Sequence, residues 1–196
     1  MTLSLFRSPV EGLTIFAGRA AGLEGEIDAI TAVSPFRHCM TPGGRPMSVA
    51  MTNCGDVGWV SDRSGYRYDA IDPETGKAWP PIPAAWRMLA LACAADAGFA
   101  GFVPDACLVN RYEVDARMGL HQDKDEADFR YPIVSVSLGA SAVFLWGGAT
   151  RAERREKVEL HHGDVVVWGG DARLRFHGVA PINAGRRYNL TFRRAR

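Results

Sequence analysis

The sequence predicts a mainly β protein of the α+β kind, an all-β barrel or jelly roll with flanking helices in its N-terminal half. Three observations carry that expectation. From residue 106 onward the chain breaks into short segments of strand character, at 108–112, 133–138, Ala142–Trp146, Val165–Trp168 and Arg187–Arg193. Gly147-Gly148, His162-Gly163-Asp164 and Gly169-Gly170-Asp171 part them, and many short strands between Gly-rich turns fit a barrel or jelly roll better than alternating β/α units. Helical periodicity, by contrast, is confined to two segments before residue 106.

The first of these is 23–33, where Leu23, Ile27, Ile30 and Val33 recur at helical spacing until Ser34-Pro35 closes the segment. A Pro/Gly-rich stretch at 41–46 leads into 47–55, whose alternation suits a short strand. Trp59, Tyr66 and Tyr68 then sit among Gly58, Asp62, Gly65 and Asp69, which read as loop residues, so Trp59 and Tyr66 are expected to escape full enclosure. Exposed rings on a loop can stack on flat nucleobases; they can equally pin the loop to the body. After a turn at 71–77 and the stiff connector 79–83 comes the second helix, 83–97. It has Pro83 near its first turn, a stripe of Trp86, Leu89, Ala90, Cys93 and Ala97, and Gly98 as C-cap.

At 196 residues and 47% hydrophobic content the chain can bury one sizeable core, which argues for a single domain with an N-terminal elaboration. Charged residues make up 23% and the formal net charge is +1, so whole-molecule charge announces no nucleic-acid partner. Two local clusters, Arg151/Arg154/Arg155/Lys157 and Arg186/Arg187/Arg193/Arg194/Arg196, allow a positive face over a neutral body, or merely a solvated surface. Cys39, Cys54, Cys93 and Cys107 are widely spaced and the first nine residues lack a leader pattern, which reads as reduced thiols in the cytoplasm. The apolar runs fall short of the roughly twenty residues a membrane span needs. His38-Cys39 reads as ordinary packing, and His161 and His162, at a turn, receive no ligand role.

Candidate chemistry centres on Leu120-His121-Gln122-Asp123-Lys124-Asp125. On an extended strand His121 and Asp123 project to the same side and can hold one ion together. His177, in the apolar setting Leu174-Arg175-Phe176-His177-Gly178-Val179, supplies a third ligand, and two His plus one carboxylate make the facial triad of non-haem Fe(II) oxygenases. Taken alone, His-x-Asp is also compatible with a solvated surface turn. In the last strand, period two puts Arg187, Asn189, Thr191 and Arg193 on one face and Tyr188, Leu190 and Phe192 on the other. The polar face is either solvent or a barrel interior. Arg187 and Arg193 lie roughly 20 Å apart along the strand and could grip opposite ends of a small dicarboxylate, unless they are surface arginines.

Together, Met51-Thr52-Asn53-Cys54-Gly55, Gly58-Trp59, Asn110-Arg111-Tyr112, His121-Gln122-Asp123-Lys124-Asp125, Pro132-Ile133-Val134-Ser135-Val136-Ser137-Leu138-Gly139, His162-Gly163-Asp164-Val165-Val166-Val167-Trp168-Gly169-Gly170, His177-Gly178 and Arg187-Tyr188-Asn189-Leu190-Thr191-Phe192-Arg193 resemble the AlkB family of Fe(II)/2-oxoglutarate dioxygenases, which repair alkylated DNA. The likeness runs from about residue 47 to the C-terminus and is loose over the first forty. It implies a double-stranded β-helix (jelly-roll) core over about 106–196, preceded by an N-terminal extension and nucleotide-recognition lid over about 1–105.

By the same resemblance His121, Asp123 and His177 carry iron, while Asn110, Tyr112, Arg187, Asn189 and Arg193 hold 2-oxoglutarate. Trp59, Tyr66, Asp125 and Arg151 meet the substrate, and Ser135, Trp168 and Leu108 match pocket positions. The implied reaction consumes O2 and 2-oxoglutarate, gives succinate and CO2, and frees an N-methyl group as formaldehyde. A carboxylate at Asp125 suits 1-methyladenine and 3-methylcytosine, which are cationic and carry an exocyclic amine. The implied partner is alkylated DNA, single strands preferred, with RNA a further one; a monomer with no membrane attachment is expected. The short link 183–186 and the loop 149–157 depart from the family pattern around the pocket rim. Two alternatives stay open: an oxygenase acting on RNA or a non-nucleic-acid substrate, and a non-enzymatic jelly-roll module with structural zinc.

Overall fold

A computed structural model describes residues 6–7, 10–20 and 22–196, the first pair as backbone; most of the segment read above for a leader lies outside the described residues. The N-terminal half gives β1 (Phe6–Arg7), β2 (Thr14–Phe16), α1 (Glu26–Val33), β3 (Ala50–Gly55), β4 (Gly58–Asp62), β5 (Gly65–Asp69) and α2 (Ala84–Asp96). Then come β6 (Ala106–Tyr112), β7 (Met118–His121), β8 (Ile133–Gly139), β9 (Ala142–Trp146), β10 (Glu156–Leu160), β11 (Val165–Trp168), β12 (His177–Val179) and β13 (Arg187–Arg193). One sheet has the order β1-β2-β11-β8-β13-β6-β3 and a smaller one the order β10-β9-β12-β7. From β6 the chain winds between them: β6 large, β7 small, β8 large, β9 and β10 small, β11 large, β12 small, β13 large. That is a double-stranded β-helix, with β2 and β3 widening its larger sheet.

Both faces of the larger sheet are covered, which is why Val165–Trp168 is a continuous apolar run rather than an alternating one. On the outer face Val134, Val136, Val165, Val167, Leu190 and Phe192 pack against the helical residues Ile27, Ile30, Trp86, Ala90 and Cys93. Trp86 meets Phe192 edge-on at 6.4 Å and donates its indole N–H to the Leu23 carbonyl. Facing the barrel interior, the alternate residues Ile133, Val166 and Trp168 join Phe144 and Trp146 of the smaller sheet. Helix α2 ends at Asp96, and Gly98, one residue past the C-cap, turns the chain with φ +92°, a conformation L side chains rarely adopt.

The structure corrects several expectations. Residues 58–69 form a hairpin, β4–β5, with Trp59 opposite Tyr68 and Ser61 opposite Tyr66; glycines and aspartates at the strand ends disguise its period of two. Strand β10 falls partly within the stretch 149–157 read as loop, because only Val158 and Leu160 are buried in it. Helix α1 starts at Glu26, three residues later than its apolar spacing suggests. Strand β7 stops at His121, which leaves Asp123 in the loop beyond. No helix among the described residues is long and apolar enough to cross a membrane.

A buried ion pair ties this frame to the hairpin's far side. Asp72, 1% exposed, accepts from both terminal nitrogens of Arg37, from Ser34 Oγ at 3.0 Å and from the Glu74 amide at 3.0 Å. Burial alone would raise its pKa; these donors outweigh it and bring the carboxyl down to about 2. A depressed folded pKa means the stabilisation is complete above the unfolded value and fades as pH falls from about 4 toward 2. Asp72→Asn is therefore expected to cost about 2 to 3 kcal/mol at pH 7 and to show a shallower acid limb than wild type. Urea melts at pH 7 and pH 3 measure both; equal melts at pH 7 would exclude the pair as a stabilising element.

Candidate active site

The antiparallel register of β7 and β12 sets His121 directly opposite His177, and their rings approach to 4.4 Å between centroids. Two residues past His121 the loop folds back, so that Asp123 Oδ1 lies 3.6 Å from His121 Nε2 and Oδ2 lies 3.8 Å from His177 Nε2. Ligand atoms from the three side chains all fall within 4.8 Å of one another. Each imidazole places Nδ1 on a backbone carbonyl two residues back, Gly119 at 2.9 Å and Arg175 at 3.1 Å. A carbonyl only accepts, so Nδ1 carries the proton and the Nε2 lone pair is left facing the shared space.

Charge follows the same plan. Burial, helped by His121, pulls His177 down to about 4, so the ring is neutral at neutral pH and offers its lone pair without first losing a proton. Burial works against ionising Asp123, yet Arg193 and the two histidines hold its carboxyl below the ordinary range. Two imidazoles with Nε2 turned to one space and one ionised carboxylate fit a divalent transition metal with open positions. His38, by contrast, bonds the Met47 carbonyl, and His161 and His162 bond Ser141 and the Gly139 amide.

The polar face of β13 is the barrel interior. Arg187, 1% exposed, donates to Ser137 Oγ at 2.8 Å and lies over the Tyr112 ring at 5.2 Å. Its Nε and Nη1 have no partner, and burial lowers its pKa. A buried cation without a counter-ion is costly and marks a place for an anion. Asn110 Oδ1 and Trp168 Nε1 are also unpartnered nearby; Asn189 Nδ2 donates to Ser135 Oγ at 2.8 Å. Arg193 differs, because it donates to Asp123 Oδ2 at 2.9 and 3.2 Å and sits 3.3 Å from Glu126. The two arginines expected to share one role are thus in different electrostatic states.

Two cavities meet at His121 and Asp123. A small chamber of about 50 Å³ is lined by Asn110, Tyr112, Ser135, Trp168, His177 and Asn189. Above it a cavity of about 430 Å³ is lined by Trp59, Tyr66, Asp125, Arg151 and Phe176. Leu108, His121, Asp123 and Arg193 line both. Over the upper cavity the hairpin stacks Trp59 on Tyr66, 5.4 Å between centroids and 17° between planes, and Trp59 donates its indole N–H to Asp125 Oδ2 at 2.8 Å. Asn53 fixes the start of that hairpin by exchanging two 3.0 Å bonds with the Trp59 backbone. Tyr66 is 46% exposed, and Arg151 lies 5.0 Å over the Phe176 ring.

Sequence reasoning missed Glu126 and Arg173. Glu126 is buried although it closes the run Asp123-Lys124-Asp125-Glu126, whose composition reads as solvated surface. Arg173, 2% exposed, pairs with it at 3.0 Å across 47 positions of sequence, and no local pattern announces so distant a partner.

A double-stranded β-helix with two histidines and a carboxylate at the mouth of its barrel has the architecture of a non-haem iron oxygenase. The 2OG-Fe(II) oxygenase superfamily profile matches residues 17–193. Among curated proteins, the alpha-ketoglutarate-dependent dioxygenase AlkB of Salmonella typhimurium is 53% identical over 188 residues, 92% of this chain and 87% of that one. AlkB of Escherichia coli K12 is 52% identical over 177 residues, 87% of this chain and 82% of that one. The solved structure of OsALKBH1 superposes with a TM-score of 0.79 at 27% identity, covering 97% of this chain and all of that one. The chain belongs to the AlkB family of the 2OG-Fe(II) oxygenase superfamily. It is a dioxygenase that uses Fe(II) and 2-oxoglutarate, and the likeness reaches N-terminal of residue 47.

Proposed function

We propose that the enzyme oxidatively demethylates alkylated bases, 1-methyladenine and 3-methylcytosine in DNA, with single strands preferred. The observation that carries this reading is the Trp59/Tyr66 pair, tethered by Asp125 over a cavity that His121 and Asp123 line, with His177 in the chamber adjoining it. A flat aromatic lid above a metal-binding floor suits a base flipped out of its stack, and a methylated Watson–Crick edge is the cheapest to flip because it cannot pair. In this reading residues up to about 105 form the lid and its support, and about 106–196 the oxygenase core. We take the compartment to be the cytoplasm and the working form to be a monomer.

The ion is assigned to His121, Asp123 and His177. Its chemistry, when bound, is to couple conversion of 2-oxoglutarate and O2 to succinate and CO2 with hydroxylation of the N-methyl carbon, which then leaves as formaldehyde. The chain's own residues do the rest. The buried Arg187 guanidinium takes the distal carboxylate of 2-oxoglutarate, beside Tyr112 and Ser137. Asn110 and Asn189 face the chamber, where Asn110 Oδ1 keeps spare hydrogen-bonding capacity, while Arg193 holds the ligand carboxylate and lines the same wall. Leu108, Ser135 and Trp168 shape that chamber. Asp125, already an acceptor for Trp59, offers its carboxylate to the cationic base and its exocyclic amine, with Arg151 at the rim.

The decisive experiment is formaldehyde release from single-stranded oligonucleotides carrying either lesion, with Fe(II), ascorbate and 2-oxoglutarate, against His121→Ala. Release by wild type alone supports the reading. Decarboxylation of 2-oxoglutarate with the methyl group left in place would retain the oxygenase and reject this substrate. For Asp125→Ala, demethylation is expected to fall about 10- to 100-fold, the worth of a hydrogen bond to a charged group, with substrate-free 2-oxoglutarate turnover spared. Equal loss of both activities would reject base reading by Asp125.

A further inference from the structure

On the lid, Trp59 and Tyr68 are cross-strand neighbours, and each donates one hydrogen bond to one of two consecutive acids: Trp59 Nε1 to Asp125 at 2.8 Å and Tyr68 Oη to Glu126 Oε1 at 2.6 Å. The two acids have different fates. Asp125 faces the cavity where a base would enter. Glu126 lines the same cavity but is buried, with Arg173 at 3.0 Å from Oε2 and Arg193 at 3.3 Å from Oε1.

Those two arginines are what hold Asp123. Arg173 Nη1 donates to the Asp123 backbone carbonyl at 2.7 Å, and Arg193 donates to its Oδ2 through Nη2 at 2.9 Å and Nε at 3.2 Å. Glu126 therefore braces both the main chain and the carboxylate of Asp123 without touching either. Two guanidinium groups and two carboxylates balance the buried charge. The brace has a second effect, on donor strength. Asp123 Oδ2 faces Arg193 on one side and His177 on the other, so an Arg193 that leaned wholly on Asp123 would weaken it as a ligand; sharing that cation with Glu126 leaves electron density for the ion.

We propose that Tyr68 and Glu126 are positioning residues that couple the seating of the lid hairpin to the affinity of the metal site, through Tyr68–Glu126–Arg193–Asp123. The inference rests on the assignment of His121, Asp123 and His177 as metal ligands. The ring of Tyr68 is anchored against Val57, Ala106 and Ala195, so only its hydroxyl reaches the acid, and burial keeps that hydroxyl protonated. Trp59 can release Asp125 to an entering base while Tyr68 stays on Glu126, so the lid reads its substrate and steadies the ion through separate hydrogen bonds.

The test is calorimetric titration of the full chain with Mn(II), without nucleic acid. Tyr68→Phe keeps the anchored ring and removes one oxygen; its Mn(II) dissociation constant is expected to rise about tenfold, the lower end for partners behind a metal ligand. Glu126→Gln is expected to lose at least as much, and the double variant no more than Glu126→Gln alone, because the hydroxyl acts only through that carboxylate. A Tyr68 that merely shapes the lid would change KM for an oligonucleotide and leave Mn(II) binding untouched. Wild-type Mn(II) affinity in Tyr68→Phe overturns the proposal, even where Glu126→Gln fails to fold, and so do losses that multiply in the double variant. His121→Ala separates the two readings. If it abolishes Mn(II) binding while Tyr68→Phe binds like wild type, only the coupling falls; if it binds like wild type, the ligand assignment and the coupling fall together.

Discussion

Asp123→Asn is expected to fold, to bind Fe(II) or Mn(II) at least about a hundredfold more weakly, and to lose O2-dependent consumption of 2-oxoglutarate. The amide keeps the shape of the carboxylate and removes its charge. A unit charge beside a divalent ion at an effective dielectric near 20 would contribute several kcal/mol, and about 2.7 kcal/mol already accounts for a hundredfold. The apo protein should lose less. Arg193 forfeits one partner but keeps Glu126 at 3.3 Å, so the cost should be about 2 kcal/mol, below the 3 to 5 of a fully orphaned buried charge. Mn(II) titration and thermal melts of the apo form separate the two effects. Wild-type metal affinity in Asp123→Asn would remove the carboxylate from the ligand set and leave two histidines.

Legibility of the fold and the site followed how local each signal was. Val165–Trp168 and Arg187–Arg193 could be read directly, since two apolar faces give a continuous run and one apolar plus one polar face give a period of two, although both strands are buried. The inward turn of Arg187 and Arg193 could not be decided from the strand alone. It depends on β8 and β6 flanking β13 and on helices covering the opposite face. His121 and Asp123 do converge, but by a different route from strand alternation, because β7 ends at the histidine and the loop brings the carboxylate back. The lid hairpin was hidden by its own brevity, with strands of five residues ending in Gly and Asp. Least legible was the buried tetrad of Asp123, Glu126, Arg173 and Arg193, whose members are joined only once β13 and the loops after β7 and β11 meet. Its residue types carry the signature of a surface.

Arg187→Met should separate stability from function in opposite directions. In the wild type a guanidinium that is 1% exposed has one hydroxyl acceptor, one aromatic face and two unpartnered nitrogens. Keeping that charge buried without a counter-ion lowers the stability of the empty protein, and an apolar side chain of similar length is expected to hold or raise it by about 1 kcal/mol. Binding should move the other way. Deleting one partner of a buried charge pair costs about 2 to 5 kcal/mol, so the 2-oxoglutarate dissociation constant, measured anaerobically with Mn(II), should rise by about a hundredfold or more. Ligand-induced stabilisation gives a second readout: at a hundred times the wild-type dissociation constant, 2-oxoglutarate should add about 2.7 kcal/mol to the wild type and well under half of that to the variant. A variant that is destabilised while still binding 2-oxoglutarate normally would make Arg187 a structural residue. Arg193 cannot serve for the same comparison, because removing it also leaves Asp123 and Glu126 facing one another without the cation between them, and metal, cosubstrate and fold would all change at once.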